Sequence, residues 1–309
     1  MSFLSIVIPV YNSQDILPEH ARRIIETLTQ TQYTPREYEV IYVDDCSNDE
    51  SWHVIESIRH KSNNIIGIQL AKNAGQHAAL LCGIQAARGD LIVTIDDDLQ
   101  QPPEAIPELL REISLGNDVV YGVPKTQSES FARSMASRLT KSVLDKTAGS
   151  GNQIKLITPF RCFTRRASIS LLDYRSTTID IDVALSWSSS KYSYVPVEFQ
   201  HRRSGRSGYN ITRLARHTIN LLTGFSTRPL RISSVYGLLL SGAGMACLIY
   251  LCISWVAHGS TVPGFMFLAT ALCIFSGAQL IALGIIGEYL ARIYTRSMNK
   301  PSYTIRKTT

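Results

Sequence analysis

The chain has 309 residues, 45% of them hydrophobic, enough core for one large domain or two small ones, and this excludes disorder as its main state. Thirty-one Lys and Arg against twenty-five Asp and Glu give a net charge of +6, which fits a nucleic-acid binder, a membrane-surface protein or a binder of phosphorylated substrates. Placement decides among these: charged residues recur through residues 15–231, but the 56 residues between Arg231 and Glu288 contain no Asp, Glu, Lys or Arg. A water-soluble unit followed by a membrane unit is expected, with no nucleic-acid partner.

In chain order, β-rich runs at Leu4–Val10, Glu39–Val43, Ile65–Leu70, Leu91–Ile95 and Asp118–Tyr121 alternate with helical stretches near Ile16–Thr29, Ser51–His60, Gly75–Ala87 and Glu104–Leu115. The alternation predicts an α/β fold with a mostly parallel sheet covered by helices, and ligands bound beyond the carboxyl ends of its strands. The opening run FLSIVIPV lacks a basic leader and is too short to span a bilayer, so it reads as the first strand rather than a signal peptide. The strand ends carry Tyr11-Asn12, Asp44-Asp45, Lys72-Asn73 and Asp96-Asp97-Asp98, four polar clusters converging on one edge.

The segment TIDDDLQQPPE, residues 94–104, carries the strongest chemistry. Three carboxylates at the end of a buried apolar strand repel one another and suit a hard divalent ion that also holds phosphate oxygens. A solvated acidic turn or helix cap before Pro102-Pro103 is the competing reading. Asp44-Asp45 opens VDDCSNDES and serves either as an N-cap cluster or as acceptors for the N–H and ribose hydroxyls of a nucleotide. No phosphate-binding glycine loop follows the first strand, which disfavours P-loop nucleotide hydrolases and dinucleotide oxidoreductases.

Further along, Ile211–Phe225 places apolar residues at helical spacing with Arg213, Arg216 and His217 elsewhere around the helix. This is the pattern of an interfacial helix, or of one packed on the preceding domain. Two spans of about 20 residues fit the charge-free stretch, from about Ile232 to Ala257 and from about Gly264 to Gly287. Arg228 and Arg231 precede them, Arg292, Arg296 and Lys300 follow, and the link HGSTVP is uncharged. Both flanks are therefore expected in the cytoplasm. The division expected is a cytoplasmic catalytic domain over 1–209, a juxtamembrane amphipathic segment over 210–231, a transmembrane hairpin over 232–290 and a cytoplasmic tail over 291–309, in a multi-pass inner-membrane protein. The six cysteines are scattered, three of them inside the spans, without metal-site or disulfide spacing.

SIVIPVYN, VDDCSNDES, AKNAGQHAAL and IDDDLQQPPE, in this order, resemble the nucleotide-sugar half of family-two inverting glycosyltransferases with the A-type fold. FRCFTRR, RRSGRSGY (Arg202 to Tyr209), FSTRPLR, GAQLIALGIIGEYLARIY and KPSY narrow the resemblance to polyprenyl-phosphate glycosyltransferases, near the bactoprenol glucosyltransferases and undecaprenyl-phosphate formamidoarabinose transferases.

The resemblance implies that Pro9, Tyr11, Asp44, Asp45 and Asn73 hold the nucleoside with Asp96 and Asp97, that Asp96, Asp98 and Gln100 bind a divalent metal (Mg or Mn) and the diphosphate, and that Asp98, Arg161, Asp182 and Arg202 carry catalysis. It implies transfer of a sugar, UDP-linked, to a polyprenyl phosphate with inversion, for cell-envelope or lipopolysaccharide glycan. Arg161, Arg202, Arg203 and Arg206 would offset repulsion between two anionic substrates, surface or topology arginines being the alternative. Asp180 and Asp182 would act as base, orient the sugar or cap a helix. The sequence departs from the family at Lys72-Asn73-Ala74-Gly75, where Arg-Asn is usual, at His77, and at Gly122-Val123-Pro124-Lys125, where Lys125 alone could replace an arginine. A processive polysaccharide synthase, a membrane carrier and a non-catalytic scaffold are the competing functions, and homo-oligomerisation stays open.

Overall fold

The computed structural model of the protein describes residues 2–31, 33–34, 36–125, 157–172, 180–200, 228–258, 264–298 and 300–309. The chain divides into two compact units, Met1–Tyr209 with Asn299–Thr309, and Asn210–Met298.

The first unit is built on an eight-stranded sheet in the order β7-β5-β6-β4-β1-β2-β3-β8. The strands are β1 (Leu4–Val10), β2 (Tyr38–Asp44), β3 (Ile65–Leu70), β4 (Leu91–Thr94), β5 (Val119–Pro124), β6 (Arg161–Thr164), β7 (Tyr192–Val197) and β8 (Ile305–Thr308). Four of the seven pairings are parallel; β4–β6, β5–β6 and β3–β8 are antiparallel. Every residue of β1 is buried, as a central strand covered on both faces requires. Side chains alternate across it. Leu4, Ile6, Ile8 and Val10 join the core formed with α1 (Leu17–Gln30), α2 (Ser51–Lys61) and α4 (Ile106–Ser114). Val7 joins the opposite core with α3 (Gln76–Ala86), α5 (Ile169–Leu172) and α6 (Ile181–Ser188).

Local sequence explains the main helices. In α1, Pro18 sits in the first turn, where no N–H is needed, and Leu17, Ala21, Ile24 and Leu28 form one buried face. Helix α3 rests directly on β1: a Cβ at Gly83 would come within 2.3 Å of Val7 Cγ1. From β1 the chain adds β2 and β3 on one side, then crosses to β4 on the other. The strand order thus switches between β1 and β4, and a crevice opens at their carboxyl ends.

Three strands lie outside the sequence expectation, and the first is β7, which pairs parallel with β5 at the far edge of the sheet. β6 is inserted antiparallel between β4 and β5 and carries Arg161, 1% exposed, at its start. β8 is exposed along its whole length and pairs with the edge of β3. Residues 299–309, expected to be a separate tail, therefore belong to the sheet unit.

The second unit contains α7 (Arg228–His258) and α8 (Gly264–Ser297), of 31 and 34 residues, which overlie the two expected spans; α8 runs on to Ser297 instead of stopping near Gly287. Tyr236, Leu238, Ile253 and Val256 of α7 and Leu268, Leu272, Leu280 and Leu283 of α8 are exposed. Taken over the described residues alone, no helix is long and apolar enough to cross a membrane. Arg202, Arg203, Arg206 and the expected amphipathic stretch Ile211–Phe225 lie outside the described residues.

Candidate active site

Four strand ends meet at the crevice. A cavity of about 350 Å³ is lined by Pro9, Val10 and Tyr11 at the end of β1, Asp45 after β2, Asn73, Gly75 and Gln76 after β3, and Asp96, Asp97 and Asp98 after β4. Among the described residues the lining includes four carboxylates and no Lys or Arg.

The loops are fixed by side chain to backbone bonds. Asp97 Oδ2 accepts from Tyr11 N (3.2 Å) and Ser13 Oγ (2.5 Å), tying the β1 loop to the β4 loop across the switch point. The β1 and β2 loops are laced together by Asn12 N to Ser47 Oγ (3.0 Å), Asn48 N to Asn12 Oδ1 (2.8 Å), Ser13 N to Ser51 Oγ (2.8 Å) and Glu50 N to Gln14 Oε1 (2.8 Å). Asp45 accepts from Ala74 N (2.7 Å) and Gly75 N (2.8 Å), which fixes the start of α3; Gly75, at φ 91°, supplies the left-handed turn there. Asn12, Cys46 and Leu99 have φ of 54°, 58° and 58°, so the loops after β1, β2 and β4 each hold one residue in a region that side chains disfavour. Such residues persist where surrounding contacts over-determine them, as this lacing does.

Asp96 is gripped from three sides. Gln101, 3% exposed, donates Nε2 to Asp96 Oδ2 (3.0 Å) and accepts Asp96 N at its own Oε1 (2.9 Å), while Gln76 Nε2 donates to Asp96 Oδ1 (2.6 Å). His20 approaches from beneath, with Nε2 3.1 Å from Asp96 O and Nδ1 3.4 Å from Tyr42 Oη. Burial holds this imidazole down at about pKa 4, so it is neutral. A carbonyl can only accept, so Nε2–H donates to Asp96 O and the Tyr42 hydroxyl donates to Nδ1. Burial, with repulsion from Asp98 and Asp97, pushes Asp96 up to about 7. Burial pushes Asp97 up to about 6, with Ser13 and Tyr11 opposing it and Asp98 adding to it. Burial likewise raises Asp45.

Several expected site residues are placed elsewhere. Asp44 is fully buried outside the cavity lining, where it accepts from Ser47 N (3.0 Å) and Gln69 Nε2 (3.1 Å). Arg161 does not reach the cavity: its guanidinium pairs with Asp182, its Nε donates to Thr94 Oγ1 (3.1 Å), and Tyr121 Oη donates to Asp182 Oδ1 (3.0 Å). Burial pulls this guanidinium down, but Asp182 and Tyr121 outweigh it and hold Arg161 above its ordinary range. Asp180 is the N-cap of α6, accepting from Asp182 N and Val183 N. Gln100 is absent from the lining; its N donates to Asp98 Oδ1 (3.1 Å) and its O accepts from Gln200 N (2.8 Å). Lys125 pairs with Glu198 at 3.3 Å, and His77 Nδ1 accepts from Ile181 N at 3.5 Å. Sequence reasoning missed Ser13, His20, Gln76 and Gln101, whose roles depend on contacts between distant loops.

Among the described residues no three His, Cys, Asp or Glu side chains are grouped to hold a metal by themselves. The donor set still fits a hard cation, since Mg²⁺ characteristically uses one or two carboxylates and takes its other ligands from water and substrate phosphate.

The chain matches the Glycosyl transferase family 2 profile over residues 5–172. It is 35% identical over 313 residues to an undecaprenyl-phosphate 4-deoxy-4-formamido-L-arabinose transferase of Enterobacter sp. (strain 638), covering 98% of this chain and 93% of that one. It is 34% identical over 311 residues to the protein of the same name from Pseudomonas fluorescens (strain SBW25), covering 98% and 89%. Among solved structures, mannosyl-3-phosphoglycerate synthase from Rubrobacter xylanophilus aligns with a TM-score of 0.53 at 16% identity over 75% of each chain, a likeness of fold. With its switch-point crevice, its acidic strand end and relatives matching along nearly its whole length, the chain belongs to glycosyl transferase family 2 and, within it, to the polyprenyl-phosphate glycosyltransferases.

Proposed function

We propose that the protein transfers a sugar from a UDP-linked donor to a polyprenyl phosphate of the undecaprenyl type, with inversion, at the cytoplasmic face of a membrane. The observation that carries the reading is the cavity itself, which gathers the ends of four strands and, among the described residues, lines them with carboxylates and no cationic side chain. Such a lining repels a diphosphate unless a cation intervenes. Asp96 and Asp98 would hold a divalent ion there, with Asp97 keeping the loop in place. When bound, that ion supplies Lewis-acid stabilisation of charge on the diphosphate.

The chain's own residues do the rest. Pro9, Tyr11, Asp45 and Asn73, which line the cavity, would hold the nucleoside. An oxygen of the acceptor phosphate forms the new bond to the anomeric carbon as the bond from that carbon to the diphosphate oxygen breaks, releasing the nucleoside diphosphate. A phosphate monoester has a second pKa of about 6 and arrives largely deprotonated, so no general base is needed. Asp182 is accordingly free to serve as the partner of Arg161. The chain reaches Gln200 beside the acidic loop, by the bond from Gln200 N to Gln100 O, and Arg202, Arg203 and Arg206 follow at once in the sequence. This supports their assignment to the acceptor phosphate.

We assign α7 and α8 to the membrane. The whole sequence of the two helices supports this better than the described side chains do, because no charged residue lies between Arg231 and Glu288. At about 1.5 Å per residue both exceed the ~30 Å hydrocarbon core. β8, which follows α8 in the chain, pairs in the same sheet as β1, and this supports a hairpin of two crossings between them.

The test is transfer of label from UDP-sugars, offered as a panel with a divalent metal and undecaprenyl phosphate, into a solvent-extractable lipid labile to mild acid. Labelled lipid from at least one donor is expected. Label found only as free sugar or polymer would overturn the reading.

A further inference from the structure

The motif KPSY, residues 300–303, finds no place in the chemistry above, yet the structure gives it a definite set of contacts. Tyr303, partly buried, donates Oη to Gln85 Oε1 in the last turn of α3 (2.5 Å). Gln85 Nε2 in turn donates to Leu171 O (2.9 Å) and Leu172 O (3.0 Å) of α5. The next residue reaches the junction between β3 and α3, where Thr304 O accepts from Ala71 N (2.7 Å), the first residue after β3. The segment then runs antiparallel along β3, with Leu70 opposite Ile305, Gln69 opposite Lys307 and Ile68 opposite Thr308. Thr309 closes it, Oγ1 accepting from Gly67 N (3.0 Å) and N donating to Gly67 O (3.0 Å).

One short segment therefore holds the outer edge of β3, the first residue of the β3–α3 loop and the far end of α3. What lies between these anchors is a wall of the donor cavity: Asn73, Gly75 and Gln76, the last of which holds Asp96. We propose that Tyr303–Thr309 is a positioning element for donor binding, setting the Ala71–Gln76 loop against the acidic strand end, with Tyr303 as its anchor. The inference rests on the donor-site reading given above. Protection of an exposed sheet edge is the plainer role for β8, but edge protection alone would alter stability and leave donor affinity unchanged.

Coupling between two sites is reciprocal, so if the segment favours nucleotide binding, nucleotide must favour the docked segment. Hydrogen exchange on the full chain, with and without UDP and Mn²⁺, reads this without any substitution. Slowed exchange is expected at Asn73–Gln76, at Ala71 and at Ile305–Thr308 together. In parallel, Tyr303→Phe should raise the donor KM and the UDP dissociation constant three- to tenfold while leaving the dependence on polyprenyl phosphate unchanged. A chain ending at Met298 should recover donor affinity when a synthetic peptide of residues 299–309 is added. Slowing at Asn73–Gln76 but not at Ala71 and Ile305–Thr308, or unchanged UDP affinity in Tyr303→Phe, would overturn the inference while sparing the donor site. Absence of slowing at Asn73–Gln76 would overturn the donor-site reading and this inference with it.

Discussion

Asp96 shows how one side chain can be stabilised as a hydrogen-bond acceptor and still be costly as a charge. Its two amide partners favour the carboxylate, yet burial and the neighbouring Asp98 and Asp97 outweigh them and place it near 7. Its folded pKa lies above the unfolded value of about 3.9, so the folded protein binds the extra proton between the two, and stability from this group declines as pH rises through that window. His20 has the opposite sign: held at about 4, it adds stability as pH rises from 4 toward 6.5. The two partly cancel in wild type, and a substitution separates them. Without metal, the melting temperature of Asp96→Asn relative to wild type should climb between pH 5 and 7.5, because only wild type then ionises this carboxyl. A difference that stays flat in melts across that range would mean the carboxyl is not raised. Arg161 gives a second residue-scale prediction. Its buried pairing with Asp182 of α6 makes Arg161→Ala a loss of about 3–5 kcal/mol in denaturant melts, since a buried carboxylate then loses its charged partner. Restoring stability by adding Asp182→Asn would confirm that the pair holds the fold, whereas a stable but inactive Arg161→Ala would return the arginine to the substrate.

At the scale of elements, the strands with strong apolar runs were legible from the residues alone. β1 and β3 occupy the expected ranges, and α1, α2 and α3 fall within a residue of expectation, because their buried faces dominate the local pattern. β6 was not legible, since a four-residue strand beginning with Arg161 looks like a charged turn until Asp182, Tyr121 and Thr94 are brought to it from 21 to 67 residues away. β8 was hidden for a different reason: with all its side chains exposed it has no apolar period, and backbone pairing alone defines it. The site divides in the same way. Carboxylates at strand ends announce the cavity, whereas the separation of Asp45, which lines it, from Asp44, which braces a loop, depends on which way each side chain points off the end of β2. The segment after Gln200 carries its own prediction. Arg202→Ala should cost on the order of 2–4 kcal/mol in transition-state stabilisation if it meets a desolvated phosphate, with nucleotide affinity nearly unchanged and Arg202→Lys intermediate. Calorimetry with UDP and transfer rates against polyprenyl phosphate concentration separate the cases; lost nucleotide binding with unchanged acceptor dependence would assign the segment to the donor.

For the whole molecule, the chain after α8 returns to the sheet that holds β1, which supports the proposed hairpin. On that proposal both ends of the hairpin share a compartment and the link at 259–263 emerges on the other side. An impermeant thiol reagent applied to intact cells should label Ser260→Cys above the wild-type background and leave Lys300→Cys unlabelled; the reverse pattern would invert the orientation. Calorimetric titration of UDP with and without Mn²⁺ tests most directly whether the acid-lined cavity is a cation-assisted nucleotide site. Wild type should bind UDP tightly only with the ion present, and Asp98→Asn, folded as judged by its melt, should lose at least tenfold in that affinity. Equal UDP binding by both proteins, or binding by wild type that is indifferent to the ion, would contradict that role for the cavity.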